Sequence, residues 1–478
     1  IFNMWLSWPV VTLALIGVYL GVIVRQNWRR DGEPPVVWSW IPWLGSALTF
    51  GKAPIAFLRA QALVHGPTFV VVIAGKRTVH VTDPKHWSKL VRQQPGLIFD
   101  HTPILLNAFG VSEVNQKRLT PHMLKEHAPF TSLMNRDKIT EMTVSARAAF
   151  EDMFDKMLDA SDAEPSEHLL FDVLRFPFFS GTMKMLFGEE LATQECFDEF
   201  TEYDDKFGML VAGTPMSVFP KTKQALTSFA ARFRCAQCYA TPDAPASGLM
   251  RARRAMLNEC YPLDHPTEDI HGRMQFTFVW ASNANTLPTS CWILFYFLKA
   301  KAKGEDQTAL MREIASVSTL ESYDAMPVFD SYIDETLRLH SSSILARRIV
   351  VDDFTLPDGL TLRRCDEIMM FSRLALMDEE AVGADVNTFR PERYIETPDH
   401  PKVHVPIGVF GGGEHMCPGR NIARRALKVF VVALLDRFDV SLVDSDEPTP
   451  TANTTRVGLG IMAPITDVRV LFTPIRKK

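Results

Sequence analysis

The chain of 478 residues reads as mainly α-helical with a small β part, preceded by one membrane-spanning helix. Three observations predict this. Residues 4–24 carry no charge and are enough to cross a hydrocarbon core of about 30 Å. Most of residues 138–301 follow helical periodicity. Residues 70–73 and 78–82 are strand-like runs separated by Ala74-Gly75-Lys76-Arg77, the pattern of a hairpin. Composition agrees: with 46% hydrophobic residues, 22% charged residues and a mean hydropathy of −0.01, the chain is too apolar to be disordered and too charged for a bundle buried wholly in lipid.

Taken in order, the first element is the apolar run, with Trp5, Trp8 and Tyr19 as interfacial residues and Arg25, Arg29 and Arg30 following it. The positive-inside rule places that basic end, and all that follows, in the cytosol. The run exceeds the apolar core of a signal peptide. The expected division is therefore residues 1–30 as membrane anchor and basic flank, and residues 31–478 as one large domain. Glu33-Pro34-Pro35 and Trp40-Ile41-Pro42-Trp43-Leu44-Gly45 predict a stiff neck against the membrane, because proline fixes φ. The hairpin comes next, then helices joined by short polar links at 159–167 and 241–248. Residues 274–298 are uncharged, yet Ser282, Asn285, Thr286 and Thr289 fall at i, i+3, i+4 and i+7 on one helical face. Lipid has no use for such a stripe. Pro288 also removes the amide that would bond the carbonyl of Ala284, so the helix should kink or open there. This predicts a long helix through a soluble core, its polar notch facing a cofactor or substrate.

With 51 Lys and Arg against 56 Asp and Glu, the net charge of −5 provides no global field for nucleic acid. The cysteines at 196, 235, 238, 260, 291, 365 and 417 are scattered, which argues for a reducing compartment without a disulfide framework. Cys235-Ala-Gln-Cys238 has redox spacing, but no βαβ pattern surrounds it, and it reads as two helical cysteines.

The most informative segment is Phe410-Gly-Gly-Gly413-Glu-His415-Met-Cys417-Pro418-Gly419-Arg420. Its F-x-x-G-x-x-x-C-x-G pattern would arise by chance on the order of once per thousand such chains. Pro418 is a preferred first helical residue, and helical patterning continues from Asn421 to Leu435. The sulfur of Cys417 thus sits at a helix amino terminus, where the amides of Gly419 and Arg420 and the helix dipole favour a thiolate. The preceding glycines let the backbone approach a flat partner. A thiolate held against a flat group is what axial ligation of haem iron requires, and this ligand promotes O–O cleavage.

On these residues the sequence resembles the cytochrome P450 family over essentially its whole length. Glu335-Thr-Leu-Arg338 matches the family's E-x-x-R, and Phe389-Arg-Pro-Glu-Arg393-Tyr394 its F-x-P-E-R-F meander. The resemblance implies the P450 fold, haem b as cofactor and Cys417 as its axial iron ligand. Phe410, Gly411 and Gly419 would lie against the haem, His415 and Arg347 on its propionates, and Glu335, Arg338 and Arg393 would hold the core behind it. No W-x-x-x-R is present in the early helices, which leaves Lys117, Arg118 and Lys125 as candidates for further propionate contacts. The family's (A/G)-G-x-(D/E)-T reads Ser282-Asn-Ala-Asn285-Thr286, implying that Thr286 and Asn285 manage the protons of oxygen activation.

Trp280-Ala-Ser-Asn-Ala-Asn-Thr-Leu-Pro288, Ile41-Pro-Trp-Leu-Gly45 and Gly458-Leu-Gly-Ile461 resemble the branch that holds cholesterol and oxysterol 7α-hydroxylases, sterol 12α-hydroxylase and prostacyclin synthase. The resemblance implies a bulky lipophilic substrate such as a sterol, terpenoid or other lipid, and a pocket lined from 99–111, 210–219, 279–286, 343–345 and 458–462. Val279, Ser282, Leu345, Leu459 and Gly460 are its named candidates. The expected enzyme is a monomeric, single-pass protein of the endoplasmic-reticulum membrane facing the cytosol, which hydroxylates its substrate with O2. Since the chain has no flavin, nicotinamide or iron–sulfur fingerprint, electrons would come from NADPH-cytochrome P450 reductase. Arg420, Arg424 and Lys428, flanked by Arg425, would form a basic docking patch or a solvated face. Two other readings are a haem-thiolate isomerase or dehydratase acting on a lipid peroxide without O2 or reductase, and a non-catalytic haem-binding membrane sensor.

Overall fold

The computed structural model describes residues 8–92, 96–98, 102–117, 119, 134, 136–161, 164–235, 248–260, 270–396, 403, 409–413 and 416–475. Helix α1 (Trp8–Asn27) is followed by strands β1 (Thr68–Ile73) and β2 (Lys76–Val81). Helices α2 (Arg136–Ala160), α3 (Leu170–Phe187), α4 (Gln194–Val211) and α5 (Pro220–Cys235) come next, with strand β3 (Ser166–Leu169) between the first two. Beyond helix Gly248–Cys260 run α6 (Ile270–Asn283), α7 (Thr286–Ala302) and α8 (Pro327–His340). Strands β4 (Ser341–Ile349) and β5 (Glu367–Phe371), helix α9 (Arg420–Leu435), and strands β6 (Phe438–Leu442), β7 (Leu459–Ile461) and β8 (Arg469–Pro474) complete the set. The chain divides into two compact units, residues 1–100, 342–384 and 404–416 in the first and the remainder in the second.

In the first unit, β1 and β2 form the expected hairpin, two residues longer at its start than the apolar pattern alone indicates. Ala74 (φ 48°) and Gly75 (φ 79°) supply the two left-handed residues that match a tight turn to strand twist. β2 runs parallel to β5, and β5 pairs antiparallel with β4 in the register Leu345 to Met370 and Arg347 to Ile368. Val70, Val79, Trp87, Ile349, Ile368 and Met370 form the core of this sheet.

α1 is long and apolar enough to cross a membrane, and nearly all its side chains are exposed. The segment behind it is held as firmly as its prolines suggest. Asn27 Nδ2 donates to the Ser39 carbonyl (2.9 Å) while its Oδ1 accepts from the Ser39 amide (3.0 Å), and Gln26 Oε1 accepts from the Trp43 amide (2.9 Å). Trp38, Trp40 and Trp43 are left exposed.

Glu33 fixes the helix exit. Its side chain is 1% exposed and accepts from Arg30 Nε (2.7 Å) and from Arg363, whose guanidinium also lies 4.7 Å from the Trp28 ring. Burial alone would raise its pKa, but hydrogen bonds from Arg363 and Arg30 prevail and hold the carboxyl at about 2, against an ordinary 4.5. A depressed carboxylate contributes stability that is complete above its unfolded pKa and lost as pH falls through the folded one. Acid unfolding should therefore include a component between about pH 4.5 and 2 that Glu33→Gln removes, measured as stability against pH.

The second unit is built on helices. Phe430 of α9 packs its ring 5.1 Å from Phe150 of α2, 5.2 Å from Phe154 and 5.0 Å from Phe178 of α3. Truncating such a residue costs about 3–5 kcal/mol. β3, β8 and β6 form an antiparallel sheet in that order. Cys196, Cys291, Cys365 and Cys417 are free thiols, and Cys238 lies outside the described residues.

Candidate active site

The expected opening of the central helix is present. Without an amide at Pro288 the Ala284 carbonyl has no helical partner; α6 stops at Asn283 and α7 restarts at Thr286. The hydroxyls of the polar stripe turn back on the backbone: Ser282 Oγ donates to the Val279 carbonyl (3.0 Å), Thr286 Oγ1 to the Ser282 carbonyl and Thr289 Oγ1 to the Asn285 carbonyl (2.6 Å). Asn285 does something the sequence did not suggest: its Oδ1 accepts from the Ile461 amide (2.9 Å). β7 is pressed against it so closely that a Cβ on Gly460, whose φ is 120°, would lie 2.1 Å from Asn285 Oδ1.

Of the expected pocket residues, the structure places Val279, Ser282, Leu459 and Gly460 around this opening, Val279 and Gly460 buried and the other two half-buried. Leu345 belongs to β4 in the first unit. Downstream of the opening, Trp292 Nε1 donates to the Met462 carbonyl (2.9 Å), the Met462 amide donates to the His340 carbonyl (2.9 Å), and the Trp292 and His340 rings stack at 3.7 Å. The end of α8 and the strand after Gly460 are thereby fixed to α7.

Glu335 and Arg338 have side chains 0% exposed, joined by two bonds of 2.7 Å from Nε and Nη2. Arg338 Nη1 donates to the Val386 carbonyl (2.7 Å). Glu335 Oε1 also accepts from the Arg390 amide (2.9 Å) and, at 3.4 Å, from Arg393 Nε. Asp385 completes the cluster through Arg393 (2.6 Å) and Arg390 (2.5 Å), whose hydrogen bonds lower its pKa to about 2.

Cys417 and Gly419 lie at the entrance of α9. The sulfur is half-buried and accepts from the amides of Gly419 and Arg420. Burial nevertheless pushes the thiol above its ordinary range; those amides and the Arg420 charge offset this only in part. The helix terminus thus prepares the sulfur as an acceptor, and a cation is needed to keep it a thiolate. That donor set fits ligation of haem iron.

In the first unit, Gly411 (φ 77°) and Gly413 (φ 64°) are left-handed, and a Cβ at Gly413 would lie 2.1 Å from the Val91 carbonyl oxygen. Gly413 therefore lies directly against the Val91 backbone. Arg347 donates to the same carbonyl through Nη2 (3.1 Å). Phe410 is half-buried at the start of this loop. His415, Arg118, Lys125 and Phe99 lie outside the described residues, and Lys117 is exposed.

The basic docking patch is a correction. Lys428 is buried and donates to Asp330 (2.9 Å) and the Tyr323 carbonyl (2.9 Å). Arg425 is buried against Asp324 and the Leu320 carbonyl, Arg424 pairs with Asp334 and Asp330, and Arg420 donates to the Cys417 carbonyl (3.1 Å). The charges of Arg424, Arg425 and Lys428 serve internal ion pairs, whose acidic partners are up to 101 residues away in sequence.

Among solved structures, retinoic acid-bound cyanobacterial CYP120A1 superposes with a TM-score of 0.68 over 93% of this chain and 99% of its own, at 19% identity, so the fold is shared. A cysteine at the mouth of a helix is the donor that a haem-thiolate enzyme requires. The family model for cytochrome P450 matches residues 34–472, and the chain belongs to that family as a P450 monooxygenase with haem iron. It is similar to cytochrome P450 7A1 of Oryctolagus cuniculus (28% identity; 95% of this chain and 96% of the relative). The human 7-alpha-hydroxycholest-4-en-3-one 12-alpha-hydroxylase (28%; 97% and 98%) and human prostacyclin synthase (26%; 93% and 94%) are similar at comparable length. These belong to the branch indicated by the sequence.

Proposed function

We propose that the protein is a membrane-anchored monooxygenase that hydroxylates a sterol, using O2 and electrons from NADPH-cytochrome P450 reductase. The observation that carries the reading is the sulfur of Cys417 at the amino terminus of α9, where two backbone amides meet it. The relatives' names, a cytochrome P450 7A1 and a 12-alpha-hydroxylase acting on a cholestenone, support the substrate class. α1 supports a single-pass anchor, with residues 1–30 as anchor and flank, residues 31–478 as the catalytic part facing the cytosol, and the endoplasmic reticulum as the compartment.

In this reading Cys417 would hold haem b through its sulfur, Phe410, Gly411 and Gly419 would border it, and Arg347 and His415 would bind its propionates. When bound, the haem supplies the activation of dioxygen and the insertion of one oxygen atom into a C–H bond. The chain's own residues arrange the rest. Glu335, Arg338 and Arg393 make a rigid, fully paired support. Val279, Ser282, Leu459 and Gly460 would border the substrate beside the helix opening, and Leu345 is a further candidate on the first unit. Thr286 holds a proton at Oγ1 beside the helix opening, and Asn285, with Oδ1 occupied by Ile461, has its Nδ2 protons to donate.

Purified monomer with the reductase, NADPH, 18O2 and a panel of sterols should give a product carrying one labelled oxygen. Thr286→Ala should lower product per NADPH by about 10-fold or more while hydrogen peroxide rises, the size expected when a positioned proton donor is lost. Conversion of a lipid hydroperoxide without any electron donor, and no product with one, would instead identify an isomerase. A thiolate spectrum with no response to any lipophile would identify a sensor.

A further inference from the structure

We propose that Arg456 binds a carboxylate at one end of an otherwise lipophilic ligand; this rests on the reading of the chain as a P450 monooxygenase with its pocket beside the opening of α6. A guanidinium presents Nε and Nη2 along one edge as two parallel donors, the geometry a carboxylate accepts. The chain uses that edge repeatedly. Arg338 gives it to Glu335 at 2.7 and 2.7 Å, Arg232 to Glu199 at 3.1 and 3.1 Å, and Arg437 to Asp155 at 2.5 and 3.1 Å.

In Arg456, which is 8% exposed, the same two nitrogens are buried and donate to no group among the described residues. Among the described residues only Nη1 is engaged, with Asp204 Oδ2 at 2.8 Å and the Asp204 carbonyl at 3.4 Å. The other oxygen of Asp204, Oδ1, accepts from Trp280 Nε1 at 2.8 Å. Asp204 fixes the guanidinium without covering the edge. Asp205, the other carboxylate whose charge feels Arg456, is exposed and makes no hydrogen bond to the edge; Arg175 adds a second positive charge to its surroundings. A buried charged donor left unpaired is costly, so a partner is expected.

The neighbours say what that partner carries besides its charge. Arg456 ends the turn that leads into β7, Asp204 lies on α4, and Trp280 is one turn before the opening of α6. The Trp280 ring lies 3.9 Å from that of Phe207 and 6.1 Å from that of Phe109, and a Cβ on Gly208 would be 3.3 Å from Leu459. The Asp204 that anchors Arg456 is thus itself held beside a cluster of aromatic and aliphatic side chains. A lipophilic acid matches both.

The test uses the full-length haem-loaded protein, titrated by calorimetry with 5β-cholanic acid, palmitic acid and the methyl ester of each. At least one acid should bind about 10- to 100-fold more tightly than its ester, the range a charge-assisted pair of hydrogen bonds implies. Arg456→Lys keeps the charge but loses the fork, and should abolish that preference while ester affinity stays within about threefold. Equal binding of acid and ester by the wild type, or an unchanged preference in Arg456→Lys, would overturn the proposal. If the variant is not recovered folded, the wild-type ratio decides alone, and a ratio near one overturns it. Failure of the monooxygenase reading is seen separately, as loss of the thiolate spectrum under carbon monoxide whatever the acid-to-ester ratio.

Discussion

Arg338→Met should be recovered with little bound haem and a stability lower by roughly 3–5 kcal/mol, the cost of leaving a buried charge without its partner. Glu335 would retain the Arg390 amide and the longer contact to Arg393, neither of which replaces two bonds of 2.7 Å from a guanidinium. Domains of this kind have only about 5–15 kcal/mol of net stability, so the loss is a large fraction. The Val386 carbonyl would lose its donor as well, loosening the segment that presents Asp385 and Arg393. Arg338→Lys should recover only part of the loss, because an ammonium cannot serve both carboxylate oxygens and Val386 in the same geometry. Denaturant titration and the haem-to-protein ratio measure both effects; wild-type values in Arg338→Met would contradict the role given to the pair.

Gly460→Ala should lower kcat/KM for the preferred substrate by about 10-fold or more while the haem spectrum is kept. The backbone there has φ 120°, and the new Cβ would lie 2.1 Å from Asn285 Oδ1. Either β7 moves or Asn285 gives up the Ile461 amide, and the wall beside the helix opening shifts in both cases. The cause can be isolated. In an Asn285→Ala background the clash is gone, so adding Gly460→Ala should cost much less than it does in the wild type, the non-additivity expected of residues in contact. Full additivity would mean that backbone strain alone is responsible.

What could be read in the sequence is local chemistry. Pro288 removes an amide wherever it stands, and the helix opens four residues before it as that loss requires. The spacing of Glu335 and Arg338 puts them on one face of α8, and the hairpin was legible too, although its connection is the two residues Ala74-Gly75 and not the four from Ala74 to Arg77. The apolar run read at residues 4–24 is helical over its described part, in the helix Trp8–Asn27, for the same reason. What could not be read depends on residues brought together from afar. Asn285 meets Ile461 across 176 positions and Asp204 meets Arg456 across 252, so no periodicity records either contact. The basic face of α9 misled for the same reason: Arg424 and Lys428 look solvent-facing by spacing, yet Asp330 lies opposite both. Cys417 was legible as a helix-capped sulfur, but not the extent of its burial, which outweighs the amides around it.

The most direct measurement is the spectrum of the reduced protein under carbon monoxide, recorded for the wild type and for Cys417→Ala. If Cys417 is the thiolate on the haem iron, the wild type shows the red-shifted Soret band of thiolate ligation and the variant does not. A wild type lacking that band, or a variant that retains it, would contradict the assignment of Cys417 and with it the monooxygenase reading.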